Sequence, residues 1–160
     1  MNLTITVAVI SGLAALSALL GLIFARVRRR LERHIRDKFE GRALLGATTR
    51  ANLFGLRSEG LGQIRGNGAL VLTEDSLYFA RAVPFREYTI PVERITGVSM
   101  PSGFLGKSVG RKLLCVHFDT GNGPDEAAWA VKSPERWKQS LEALVSGSLP
   151  GTDSNFKDKA

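Results

Sequence analysis

The stretch 68-GALVLTEDSLYFARAVPFREYTIPVERI-95 decides the fold. Its apolar residues come in short bursts, at 69–73, 76–82, 86–91 and 95–100, and each burst is rich in Val, Ile, Leu, Thr and aromatics. Such runs, divided by turn residues, predict strands. Thr73-Glu74-Asp75-Ser76 is a tight hairpin connection, and Val83-Pro84-Phe85-Arg86 is a hairpin loop with an apolar tip. Working outward, the same pattern predicts strands at 44–54, 112–118 and 126–131, with Gly121-Asn122-Gly123-Pro124-Asp125 as a further turn. Short strands in succession imply an antiparallel sandwich or partly open barrel rather than alternating strands and helices. The last element is different. Ser133 suits an N-cap, Pro134 the first helical position, and Trp137, Leu141, Leu144 and Val145 share one face before Gly147. This helix can plug the open end of a small barrel. Residues 148–160 are polar and aperiodic and are expected to form a disordered tail.

Upstream, residues 3–25 contain no ionisable side chain. A helix of that length spans roughly 34 Å, against about 30 Å of hydrocarbon in a bilayer. Backbone amides in lipid must be satisfied within the segment, so a lone span is a helix. A cleaved signal peptide fits poorly. Only Met1 and Asn2 precede the run, the run is too long, and no small-x-small site precedes Arg26. Ala14 and Ala18, and Ser17 and Gly21, are small residues four apart, a weak signal for helix pairing.

Segment 26–42 carries eight basic residues against three acidic ones, a charge of +5. The net charge of the chain is +7, so the remainder is close to balanced. A uniformly basic nucleic-acid binder is thereby excluded. Arg26, Arg28, Arg29, Arg30, Arg33 and Arg36 flank the span on its C-terminal side only. The positive-inside rule then puts the N-terminus outside and residues 26–160 in the cytoplasm, at the cell inner membrane. The same arginines are candidates for contact with anionic lipid. Val27, Leu31, Ile35 and Phe39 recur every fourth residue, one apolar stripe on a helix that packs on the following domain or on a second copy. His34 lies off the stripe and reads as solvated.

Gly68-Ala-Leu-Val-Leu-Thr73, then Ser76-Leu-Tyr-Phe79, then Tyr88-Thr-Ile-Pro-Val-Glu-Arg-Ile95 resemble the GRAM and pleckstrin-homology-like (PH-like) pattern. In that pattern a G-x-L-x-LT strand is followed by an L-x-F strand and an IP-x-x-x-I segment. The helix with Trp137 resembles the capping helix of the same superfamily. The resemblance covers about residues 43–147. It implies a binding scaffold for lipid headgroups, peptides or self-association, and it implies no catalysis. Some eukaryotic members bind phosphoinositides through basic residues between the first two strands; here that region offers only Arg57 and Arg65. A compact chain with an N-terminal anchor resembles bacterial members.

Catalytic motifs are thin. Gly106-Lys107-Ser108-Val109-Gly110 matches G-x-S-x-G, yet the predicted setting is two strands and a loop, not strand-turn-helix. The overlapping 101–108 run has Pro101 where a P-loop needs Gly. A small serine hydrolase is thus the remote reading. Cys115 and His117 alternate onto one strand face, but no further Cys or His lies nearby in sequence, so they read as a buried or interfacial pair. No metal and no cofactor are expected. Residues 101–112 combine Phe104 and Leu105 with Lys107, Arg111 and Lys112, and with Phe85 and Arg86 they are the candidate partner-binding loops.

The expectation is therefore one transmembrane helix (3–25), a basic juxtamembrane helix (26–42), a PH/GRAM-like α+β domain of about seven strands with a C-terminal helix (43–147), and a tail. The expected function is a non-catalytic binding module at the cytoplasmic face, for protein–protein contact or self-association. The alternative is a sensor of anionic lipid. The expected partners are the bilayer and a membrane or cytoplasmic protein, a second copy included, and no nucleic acid.

Overall fold

The structure, a computed structural model, describes residues 3–147. Helix α1 (Leu3–Lys38) is one continuous element of 36 residues with no break where the apolar run meets the arginines. Neither Gly nor Pro occurs in 26–40, so nothing interrupts the ladder. Among the described residues it is the one helix long and apolar enough to cross a membrane, and its apolar window is not buried in the fold.

Nine strands follow: β1 (Gly46–Leu56), β2 (Gly66–Leu72), β3 (Ser76–Arg81), β4 (Arg86–Pro91), β5 (Ile95–Ser99), β6 (Gly103–Phe104), β7 (Lys107–Ser108), β8 (Leu114–Asp119) and β9 (Pro124–Ala130). Seven of them form one antiparallel sheet in the order β4-β3-β2-β1-β9-β8-β5. β1 is the corner. Its first part pairs with β2 and its second with β9, and register shifts at Thr48/Ala51 and Leu53/Gly55 bend it between the two. The halves fold together, so that Leu70, Leu72, Leu77 and Phe79 meet Leu114, Val116 and Trp129 in a common core. Phe79 and Trp129 meet at a tilt of 58°, with 6.0 Å between ring centroids. Helix α2 (Pro134–Val145) closes this barrel with buried Trp137 and Leu141. The seven-strand antiparallel architecture with a C-terminal helix is the fold class expected.

Local chemistry accounts for the details. Thr73 N–H donates to Ser76 O at 2.9 Å, and the Thr73 hydroxyl accepts from Ser76 N–H, which fixes the β2–β3 turn. Gly68 is required because a Cβ there would lie 2.2 Å from the Ala80 carbonyl oxygen. One expectation is corrected. Ser133 precedes α2 but has φ 53° and makes no side-chain cap bond; the helix starts on Pro134, with the Ser133 carbonyl accepting from Arg136 N–H at 3.1 Å. Gly147, at φ 70°, donates its N–H to Leu144 O and ends the helix as expected. The expected tail, 148–160, lies outside the described residues.

β2 and β3 are buried on both faces. Their outward residues Ala69, Val71, Tyr78 and Ala80 lie beneath Leu31 and Ile35 of α1 and Phe39, the residue after its end. The alanines leave room for the helix, and the four-residue stripe supplies the cover. Of the two sequence alternatives, packing on the following domain is the one observed.

Candidate functional site

The direction of α1 over the sheet gives the domain two unlike ends. Val27, Arg30, Leu31 and His34 line a cleft of about 280 Å³ with Ala82, Val83 and Phe85 of the β3–β4 loop. At the other end, just past α1, Arg42 pairs with Asp75 of the β2–β3 turn at 3.6 Å. The helix therefore enters the domain at the β3–β4 loop. Antiparallel pairing puts the β1–β2 connection, 57–65, at the same end, and Arg86 Nη2 joins it to Glu59 Oε1 at 3.0 Å. Leu61 and Ile64 of that connection are 71% and 85% exposed, and Val83 and Phe85 are 66% and 56% exposed. Sequence reasoning named Phe85 and Arg86 but missed Leu61 and Ile64, which sit alone among glycines and carry no periodicity.

His34 corrects an expectation. It is not simply solvated: Nε2 lies 2.9 Å from Glu87 Oε1 and 3.1 Å from the Tyr78 hydroxyl, and its ring meets Phe85 edge-on at 5.2 Å. Lys38 Nζ donates to the same Glu87 oxygen at 2.9 Å, and the Tyr78 hydroxyl donates to it as well. Lys38 first, and then Tyr78, hold the Glu87 carboxyl down at about 2. Burial, with Glu87 alongside, pushes the Tyr78 phenol well up. This cluster fastens the charged end of α1 to β3 and β4. Of the collar, Arg26, Arg29, Arg30, Arg33 and Arg36 are exposed, while Arg28 pairs with Glu32 at 2.8 Å within the helix.

The loop 101–112 differs from the exposed tip expected. Residues 103–108 form the ribbon β6–β7, turned through Leu105 and Gly106, both at positive φ (49° and 72°). Two central residues of positive φ characterise a two-residue hairpin turn. The ribbon lies on the outer face of the second half-sheet and buries Phe104 (5% exposed) against Phe54, Leu113, Cys115, Ala128 and Ala130. Leu105 packs at its edge. Lys107 donates to the carbonyls of Phe54 and Gln63. Arg111 and Lys112 are exposed. Phe104 is thus covered, because an apolar side chain above an apolar sheet face gains about 1.5–3 kcal/mol by leaving water. Ser108 donates to Ser102 O at 2.7 Å, and the chain runs on into β8 rather than a helix, so the strand-turn-helix setting of a nucleophile elbow is absent.

Beside the ribbon, the β8–β9 register sets His117 opposite Glu126, and the β5–β8 register sets Ser99 opposite Cys115. Ser99 Oγ is 2.8 Å from His117 Nε2, and Glu126 Oε1 is 3.3 Å from His117 Nδ1. Arg57 donates to Glu126 Oε2 through Nε at 2.8 Å, with Nη2 at 2.6 Å. Ligand atoms of Cys115, His117 and Glu126 lie within 4.8 Å of one another. Cys115 is buried, and burial pushes its thiol up to about 11.

No family profile matches the chain, and no curated protein matches it. Solved structures do. The C-terminal domain of an unknown protein from Leishmania infantum is 14% identical, with a TM-score of 0.51, over 72% of this chain and 97% of that one. A chain of the 8S snRNP assembly intermediate is 13% identical, with a TM-score of 0.52, over 70% and 89%. The N-terminal PH domain of Vps36 is 16% identical, with a TM-score of 0.46, over 68% and 82%. At these identities the first two likenesses carry the fold, and nothing about ligand or partner.

Proposed function

We propose that this chain is a single-pass membrane protein whose PH-like domain is a non-catalytic binding module, held loop-end down on the cytoplasmic face of the membrane and recognising anionic lipid there. The observation that carries the reading is the grouping of exposed apolar side chains. Leu61, Ile64, Val83 and Phe85 cluster at the end where α1 enters, whereas elsewhere on the domain the exposed large apolar side chains are Leu44, Val109 and Val145, one to an element. The apolar run ends at Ala25, and Leu31, already docked, lies about 9 Å further along the helix. The two loops therefore sit at headgroup depth. Exposed arginines beside them would each contribute about 1 kcal/mol on an anionic surface. A protein partner, or a second copy, would instead use the remaining surface of the module.

The test reconstitutes the full chain in nanodiscs of phosphatidylcholine with and without phosphatidylserine, and places single reporters by Ile64→Trp, Val83→Trp and Glu74→Trp. Trp129 and Trp137 are buried and give a constant background. The expected result is quenching by brominated lipid at 64 and 83, deepened by phosphatidylserine, and none at 74. Equal quenching at all three positions would overturn the orientation. Equal depth in the two lipid mixtures would overturn recognition of anionic lipid and return the module to a protein partner.

A further inference from the structure

We propose that Cys115, His117 and Glu126 form a binding site for a divalent transition-metal ion of the zinc class, with three protein ligands and a fourth position open to solvent. Sulfur, imidazole and carboxylate are the donor types such an ion takes. Two strands supply them. Cys115 and His117 point to the same face of β8, and Glu126 is the direct neighbour of His117 on β9. The 3.3 Å between His117 Nδ1 and Glu126 Oε1 is the edge that two bonds of about 2.0–2.1 Å make in tetrahedral coordination. The third ligand atom is already within 4.8 Å of the others, and a side-chain adjustment of order 1 Å completes the triangle at about 3.3–3.7 Å per edge.

The surroundings point the same way. A histidine that binds metal through one ring nitrogen usually donates the other N–H to a neighbouring acceptor, which fixes the tautomer. Ser99 Oγ stands 2.8 Å from Nε2 and leaves Nδ1 toward Glu126. Glu126 divides its oxygens in the same manner: Oε2 is held by Arg57, and Oε1 is directed to the site. Cys115 forms the floor, and half-buried His117 and Glu126 form the rim. An ordinary cross-strand His–Glu ion pair would need neither the thiol beneath it nor the hydroxyl on the far nitrogen.

The test titrates Co²⁺ into the metal-free full chain in detergent, and then Zn²⁺ in competition with a chromophoric chelator. The expected result is one ion per chain, visible d–d bands with a near-ultraviolet thiolate-to-cobalt band, and displacement by Zn²⁺. His117→Ala and Glu126→Gln should each weaken binding by tenfold or more, and Ser99→Ala by about tenfold through the histidine. Cys115→Ser should remove the thiolate band. Because Cys115 lies in the sheet interior, His117→Ala and Glu126→Gln, on the half-buried rim, decide the matter if that variant fails to fold. Absence of saturable binding, or affinity unchanged by His117→Ala and Glu126→Gln, would leave a cross-strand ion pair only and overturn the site.

Discussion

The outer faces of the two half-sheets are covered by different means. Over β2 and β3 lies α1, a rigid rod that sets Leu31 and Ile35, followed by Phe39, into alanine-lined grooves and is fastened at its flank by His34, Lys38 and Glu87. Over β8, β9 and β1 lies the ribbon β6–β7, which buries one large ring, Phe104, and is tied down by Lys107 on two backbone carbonyls. The helical cover is continuous with the membrane-crossing candidate, so its stiffness fixes which end of the barrel lies nearest that apolar segment. The ribbon is a local cover, and beside it the sheet face opens onto Ser99, His117 and Glu126.

The largest effect expected is at Phe39. Its ring packs edge-on against Tyr78 at 5.2 Å and carries the last contact of the stripe. Phe39→Ala removes that ring, at a cost of about 3–5 kcal/mol for a buried phenylalanine. Thermal unfolding of the full chain in detergent should shift down, and hydrogen exchange should rise first in 31–39 and in β3. If exchange rose instead in β8 and β9, the helix would not be the separate cover described. Phe104→Ala comes next, at or below the low end of the same range, because the ribbon is edged by exposed residues and can collapse into part of the space. Its exchange signature should appear in 101–113 and leave α1 unchanged. A loss as large as that of Phe39→Ala, spread over both half-sheets, would break the comparison.

The two covers also differ in how far they can be read from the chain. The α1 stripe repeats every four residues over thirteen positions, so periodicity alone exposes it. The strands were legible for the same reason: each hairpin carries its own turn chemistry, as Thr73 to Ser76 does. The ribbon has strands of two residues, too short for any pattern, and its turn places Leu105 where Asn or Gly would have been the signal. His34 was misread because its partner Glu87 is 53 positions away, and Glu126 was not linked to His117 because strand register, not spacing, makes them neighbours. Local interactions reach the sequence reader; pairings created by register and by helix docking do not.

Acid offers the gentlest way to separate the covers. The Glu87 carboxyl is held at about 2, below its ordinary 4.5, first by Lys38 and then by Tyr78. A carboxylate whose folded value lies below its unfolded one contributes stability that is complete above the unfolded value and is lost as pH falls toward the folded one. The helix fastening should therefore hold at pH 5 and above, and weaken progressively between about pH 4.5 and 2. The effect is small, since the carboxylate is about one-third exposed and water screens it. Glu87→Gln should flatten that pH dependence in hydrogen exchange of 34–39, while exchange across 103–108 stays the same in both proteins. The ribbon is fixed by the burial of Phe104 and by hydrogen bonds onto backbone carbonyls, with no carboxylate in the fastening, so acid gives it nothing to lose. A parallel response of both segments to pH would mean that the two covers melt as one unit.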